Sequence, residues 1–115
     1  MPSKPPRRER MRYWREDAIE AIDAIRSYID GMMASDFDSD RKTASAVERE
    51  LLLVAEVLAR MPEFEEVYSD AHKVRGLGNR LRHDYERIDP RIIWDAISGP
   101  PLKELRDALA AFCPK

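Results

Sequence analysis

Cysteine, glycine and long apolar runs are all scarce in this chain, and each scarcity removes a class of protein. Cys113 is the sole cysteine, so neither a disulfide scaffold nor a cysteine metal cluster can form within one chain. Glycine occurs only four times in 115 residues. No window shows the period-two alternation of a half-buried strand, which favours an all-helical fold. Apolar stretches such as Leu51–Ala55 are far too short to span a bilayer. The first ten residues are charged and lead into no apolar segment, so they do not read as a secretory signal. Together these features point to a cytoplasmic protein away from membranes. His72 and His83 stand eleven residues apart with no partner at ligand spacing, so no metal site is expected. No glycine-rich phosphate loop is present either, and no cofactor is expected.

What the chain does have is helix-forming pattern and charge. Hydrophobic residues make up 43% and charged residues 37%, as in a soluble domain with a densely charged surface. The formal net charge is −2 and the pI is near 5.7, so the molecule as a whole is no general polyanion binder. The charge is uneven, however. Residues 4–15 set Lys4, Arg7, Arg8, Arg10, Arg12 and Arg15 against Glu9 alone. Residues 73–91 set Lys73, Arg75, Arg80, Arg82, Arg87 and Arg91 against Asp84, Glu86 and Asp89. Two basic zones on an acidic body suit a localised nucleic-acid site, or else plain solvated helix faces.

Residues 1–9, with three prolines, read as a disordered basic arm, and residues 10–115 as a single helical domain. Trp14, Ala18, Ile22, Ile25, Ile29 and Met32 form one apolar stripe on a first helix. Residues 34–39 read as a connector, with Ser39 or Asp40 as the next N-cap. Val47, Leu51, Val54, Leu58 and Met61 keep the spacing of a two-helix seam, and Pro62 stops that helix. Glu56 lies inside the widened stripe and should be paired or at a groove edge. Residues 62–70 read as a turn holding Phe64, Val67 and Tyr68. Ser69 or Asp70 then opens a helix through Val74, Leu77 and Leu81, which contains Gly76 and Gly78. Those glycines signal close packing, or a bend that opens the backbone to a ligand. Asp89-Pro90 starts a short helix with Ile93, Trp94 and Ile97. Ser98-Gly99-Pro100-Pro101 breaks it before a last helix with Leu102, Leu105, Leu109 and Phe112. The expected architecture is all-α, an up-down bundle of four or five helices whose two long members form an antiparallel hairpin.

The chemistry concentrates in Gly76-Leu-Gly-Asn-Arg-Leu-Arg-His-Asp-Tyr85. On a helix, Asn79 and Arg80 share a face with His83, which lies four and three residues later. That face offers an amide, a fixed cation and a group titrating near neutrality. His83 suits proton transfer from an RNA 2′-hydroxyl or to a leaving oxygen. An arginine suits a bidentate grip on the scissile phosphate, with Arg75 and Arg82 as further candidates for RNA contact. Tyr85 falls on the opposite side of a continuous helix, unless the helix ends near His83. The alternative for His83 is an ordinary surface or interface residue.

This stretch resembles the signature of the HepT-like toxins of the HEPN superfamily: an arginine, four to six residues, a histidine, any residue, a tyrosine. Phe37 to Arg41, Val47 to Val57 with Arg49 and Glu56, Asp89 to Trp94, and Pro101-Leu102 resemble further stretches of the family pattern. The resemblance implies a homodimer whose motif residues line a shared groove, acting as a metal-independent endoribonuclease in a type VII-like toxin–antitoxin module. It implies an MntA-like nucleotidyltransferase as antitoxin partner, adding AMP to the motif tyrosine, here Tyr85. By position the motif histidine is His83 and the polar residue after the arginine is Asn79. One departure stands out: the motif arginine belongs at position 78, and this chain has Gly78. Arg80, on the face of His83, is the better substitute, with Arg82 the other. A chain without a substitute would be a weak or inactive HEPN protein that serves as the nucleotidyltransferase's binding partner.

Overall fold

A computed structural model describes residues 3–84 and 88–114. Seven helices follow one another: α1 (Arg7–Tyr28), α2 (Ala34–Ser39), α3 (Arg41–Arg60), α4 (Pro62–Val67), α5 (Ala71–Asp84), α6 (Pro90–Ser98) and α7 (Pro100–Ala111). Five are the helices that periodicity calls for, and no strand occurs among the described residues. The two additions are the six-residue helices α2 and α4.

The first helix starts at Arg7, inside the stretch that composition assigns to an arm. Its first turn is anchored at long range. Arg7 donates to both carboxylate oxygens of Glu63, at 2.8 and 2.9 Å, and to the carbonyl of Arg60 at 2.8 Å. No local pattern reveals a tether to residues more than fifty positions away. Met11, Ala18, Ala21, Ile22 and Ile25 then face the core. After α1, Gly31 adopts φ +77°, a left-handed turn that disfavours any side chain.

Residues 34–39 are helical rather than a connector. The Asp36 carboxylate accepts the Met33 N–H at 2.8 Å, which satisfies an orphan donor of the first turn. Phe37 is 1% exposed and packs on Trp94 of α6, ring centroids 5.4 Å apart. Asp40 caps α3 as expected, accepting the Thr43 N–H at 3.0 Å and its hydroxyl at 2.7 Å. Pro62 both ends α3 and, at the first position of a new helix, begins α4. The stretch read as a turn thus holds one short helix that buries Phe64. Glu56 makes the plain salt bridge, to Arg60 at 2.8 Å.

Arg7 beside Arg60 sets the start of α1 against the end of α3, so the two long helices run antiparallel. Gly78 of α5 meets Ala55, close to the end of α3, so α5 turns back along α3 in the same sense. The middle helix α3 therefore packs between α1 and α5. Asp89 accepts the Arg91 N–H at 2.8 Å and caps α6. Helix α7 closes on α1 through Arg106 and Asp23, and Arg15 donates to the Phe112 carbonyl. The core joins side chains from all seven helices, among them Ile22, Leu51, Phe64, Leu81, Ile97 and Leu105.

Candidate functional site on the outward face of α5

Helix α5 divides its residues sharply. Ala71, Val74, Leu77, Gly78 and Leu81 are buried against the bundle. Asn79, Arg80, Arg82 and His83 are exposed. At about 100° per residue, Asn79 and Arg80 flank the direction of His83 on the side away from the core. Arg82 lies about 100° around from His83, towards the buried edge. Among the described residues, neither Arg80 nor Arg82 pairs with a carboxylate.

Arg75 behaves differently. Its guanidinium donates to Glu65 at 3.0 Å, which spends its charge on tying α5 to α4. His72 is also engaged, since its Nδ1 donates to the Ser69 carbonyl at 2.6 Å at the start of the helix. Tyr85, the residue expected to receive AMP, lies outside the described residues.

Gly78 occupies the position where the motif arginine belongs, and it points inward. A Cβ built there would stand 2.1 Å from the Ala55 Cβ and 3.7 Å from the Leu51 carbonyl. The glycine is thus a contact between backbones, the packing alternative of the sequence reading. Gly76 is the opposite case: a Cβ there meets nothing within 4 Å. Its open space lies on the outward side of α5, between His72 and Asn79.

Two features escape the sequence. Glu48 is half-buried on α3, and burial pushes its carboxyl above the usual range. It sits two turns before Ala55 on one stripe, so in an antiparallel pair it stands level with the end of α5. Trp14, placed on the first apolar stripe, is half-buried and ringed by arginines from two helices. Among the described residues, no three of His, Cys, Asp and Glu converge to hold a metal ion. Nor is any described helix long and apolar enough to cross a membrane.

Comparison with known proteins places these features in a family. The family model described as ribonuclease HepT-like matches residues 18–112. A protein of Thermococcus cleftensis named "Probable ribonuclease HepT" is 29% identical over 93 residues, covering 76% of this chain and 84% of the relative. A protein of Caldanaerobacter subterraneus subsp. tengcongensis, which carries a provisional RNase name, is 28% identical over 93 residues, or 78% and 80% of the two chains. Comparison with solved structures gave no significant match. The matched span runs from the middle of α1 to the residue after α7 and takes in the whole of α5, so the chain belongs to the HepT-like ribonuclease family.

Proposed function

We propose that the chain is a cytoplasmic toxin of the type VII-like kind, a metal-independent endoribonuclease that works from the outward face of α5. His83 takes the proton of the attacking RNA 2′-hydroxyl or returns one to the departing oxygen. Arg80 forks onto the scissile phosphate and offsets the charge that grows there. Asn79 orients the phosphate, and Arg82 offers a further contact. The supporting observation is the exposure of His83 beside cations that no carboxylate among the described residues neutralises, within the segment that the family model matches. The test is degradation of single-stranded RNA by purified protein in EDTA. Cleavage that persists undiminished in His83→Ala removes His83 from the mechanism.

Two partners belong to the same reading. A second copy of the chain would complete the groove, and the open space at Gly76 suits close approach of another backbone. An MntA-like nucleotidyltransferase would silence the toxin by adding AMP to Tyr85. Mass spectrometry of the chain after incubation with that partner and ATP checks the modification. An unmodified Tyr85 ends the AMP-transfer reading.

A second reading has its own observation. The inward-facing Gly78, packed on Ala55, leaves no room for the motif arginine at that position. On this reading the chain is an inactive HEPN protein that serves as the nucleotidyltransferase's binding partner. It then forms a stable complex, turns over no RNA and arrests no growth.

A further inference from the structure

Near the start of α1, three guanidiniums surround one indole. The Cζ atoms of Arg7, Arg10 and Arg60 lie 5.7, 5.7 and 5.8 Å from the Trp14 ring. Arg7 and Arg10 arrive from seven and four residues upstream on α1, and Arg60 from the last residue of α3. Like charges so gathered repel unless each is neutralised. Two of them are, since Glu63 takes Arg7 and Glu56 takes Arg60, each at 2.8 Å.

Arg10 is the exception. Among the described residues its guanidinium meets neither a carboxylate nor a hydrogen-bond acceptor, and its Nε is buried without a partner. An unmet buried donor is a defect that folds seldom carry. Among the described residues, this cation rests on the Trp14 ring quadrupole. Arg8 and Arg12 also lack an acid among the described residues, but they stand two positions either side of Arg10 and face nearly the opposite side of α1, so Arg10 stands alone on its face. Arg10 is thus an uncompensated cation suited to an anion, near the end of α3 that carries Arg60, whereas His83 lies level with the middle of that helix. Gly78 faces Ala55, so His83 stands level with about residue 50 of α3, roughly 15 Å along that helix from Arg60. One phosphate cannot touch both places.

We propose that the Arg10 guanidinium, braced on Trp14, binds a backbone phosphate of single-stranded RNA at a distance from the α5 site. Its two terminal nitrogens donate to two phosphate oxygens, while the buried Nε stays against the protein and the indole braces the guanidinium. The site therefore serves strands long enough to reach from the end of α3 to about its middle, and it adds nothing for a mononucleotide. The identity of the polyanion rests on the ribonuclease reading above; the unneutralised cation itself does not.

The experiment uses the full chain with His83→Ala to prevent turnover and Trp94→Phe to leave Trp14 as the sole tryptophan. A uridylate dodecamer and uridine monophosphate are titrated between about 50 and 200 mM salt, and Trp14 emission is followed. The dodecamer changes that emission, whereas the mononucleotide binds no better with Arg10 than without it. Arg10→Gln weakens dodecamer binding about tenfold and reduces the salt slope by roughly 0.7, the share of one phosphate contact on a single strand. Arg10→Lys keeps the slope but loses some of the affinity, because it lacks the fork. Equal dodecamer affinity and slope in a folded Arg10→Gln chain overturns the proposal. If that variant melts early, an unchanged Trp14 emission in the Arg10 chain overturns it instead. Arg10-dependent binding by a chain that cleaves nothing with His83 intact leaves this site standing and removes the nuclease reading alone.

Discussion

Gly78 and Ala55 bring α5 and α3 together so closely that no side-chain carbon fits at position 78, where it would stand 2.1 Å from the Ala55 Cβ. Gly78→Ala gains about 1 kcal/mol of helix propensity but forces the two helices apart. Overpacking of a tight contact costs about 1–3 kcal/mol, so the variant is less stable on balance. Urea unfolding midpoints measure the loss. Ala55→Gly in the same chain recovers most of it, because glycine and alanine exchange places across one contact.

Gly76→Ala has the opposite sign. Nothing lies within 4 Å of the added methyl, and the backbone there is ordinary helix. Stability rises by about 0.5–1 kcal/mol, which thermal melting at low protein concentration detects. An unchanged or lowered melting temperature would mean that this face is already covered.

Arg75 and Arg80 differ in whether an acid already holds them. Arg75 is tied to Glu65 at 3.0 Å, while Arg80 has no acid among the described residues. Arg80→Gln lowers RNA cleavage about 100-fold or more, as loss of a transition-state donor does. Arg75→Gln leaves cleavage within about twofold and costs less than about 1 kcal/mol of stability, the worth of an exposed ion pair. Single-turnover assays on both variants decide between the two arginines.

The acid limb of stability has one identifiable contributor at the α1–α4 contact. The Arg7 hydrogen bonds hold the Glu63 carboxyl down at about 2. A carboxyl lowered on folding stabilises the native state above its unfolded value near 4.5, and that support fades as pH falls from there to about 2. Glu63 is partly exposed, so solvent limits the effect to less than about 1 kcal/mol. Glu63→Gln flattens unfolding midpoints across that window and changes little of their pH dependence near neutrality.

Local pattern carried most of the fold because the long helices bury regular stripes. Ile22 and Ile25 on α1, and Val47, Leu51, Val54 and Leu58 on α3, lie in the core as their spacing requires. Asp40 and Asp89 cap the helices that follow them, since capping is a contact within three residues. The misses are long-range or short in length. Helices α2 and α4 span six residues each, too few for a period to show, and depend on burying Phe37 and Phe64. The Arg60–Trp14 contact joins residues 46 apart through tertiary packing. At the candidate site, spacing alone placed Asn79, Arg80 and His83 on one side, and their exposure agrees. Spacing does not show that Arg75 is spent on Glu65, because an ion pair across two helices follows from the fold.

The hook formed by Arg7 also governs where this chain tolerates being shortened. Its guanidinium closes the free carbonyl at the end of α3 and holds the first turn of α1 against Glu63. A deletion that stops at residue 5 leaves Pro6, whose carbonyl accepts the Glu9 and Arg10 N–H groups at 3.0 and 3.1 Å and opens α1. One that passes residue 7 uncaps a helix it never touches in sequence and releases a neighbour of Trp14. One side chain near the start of α1 thus pins two helix ends that are more than fifty residues apart in sequence.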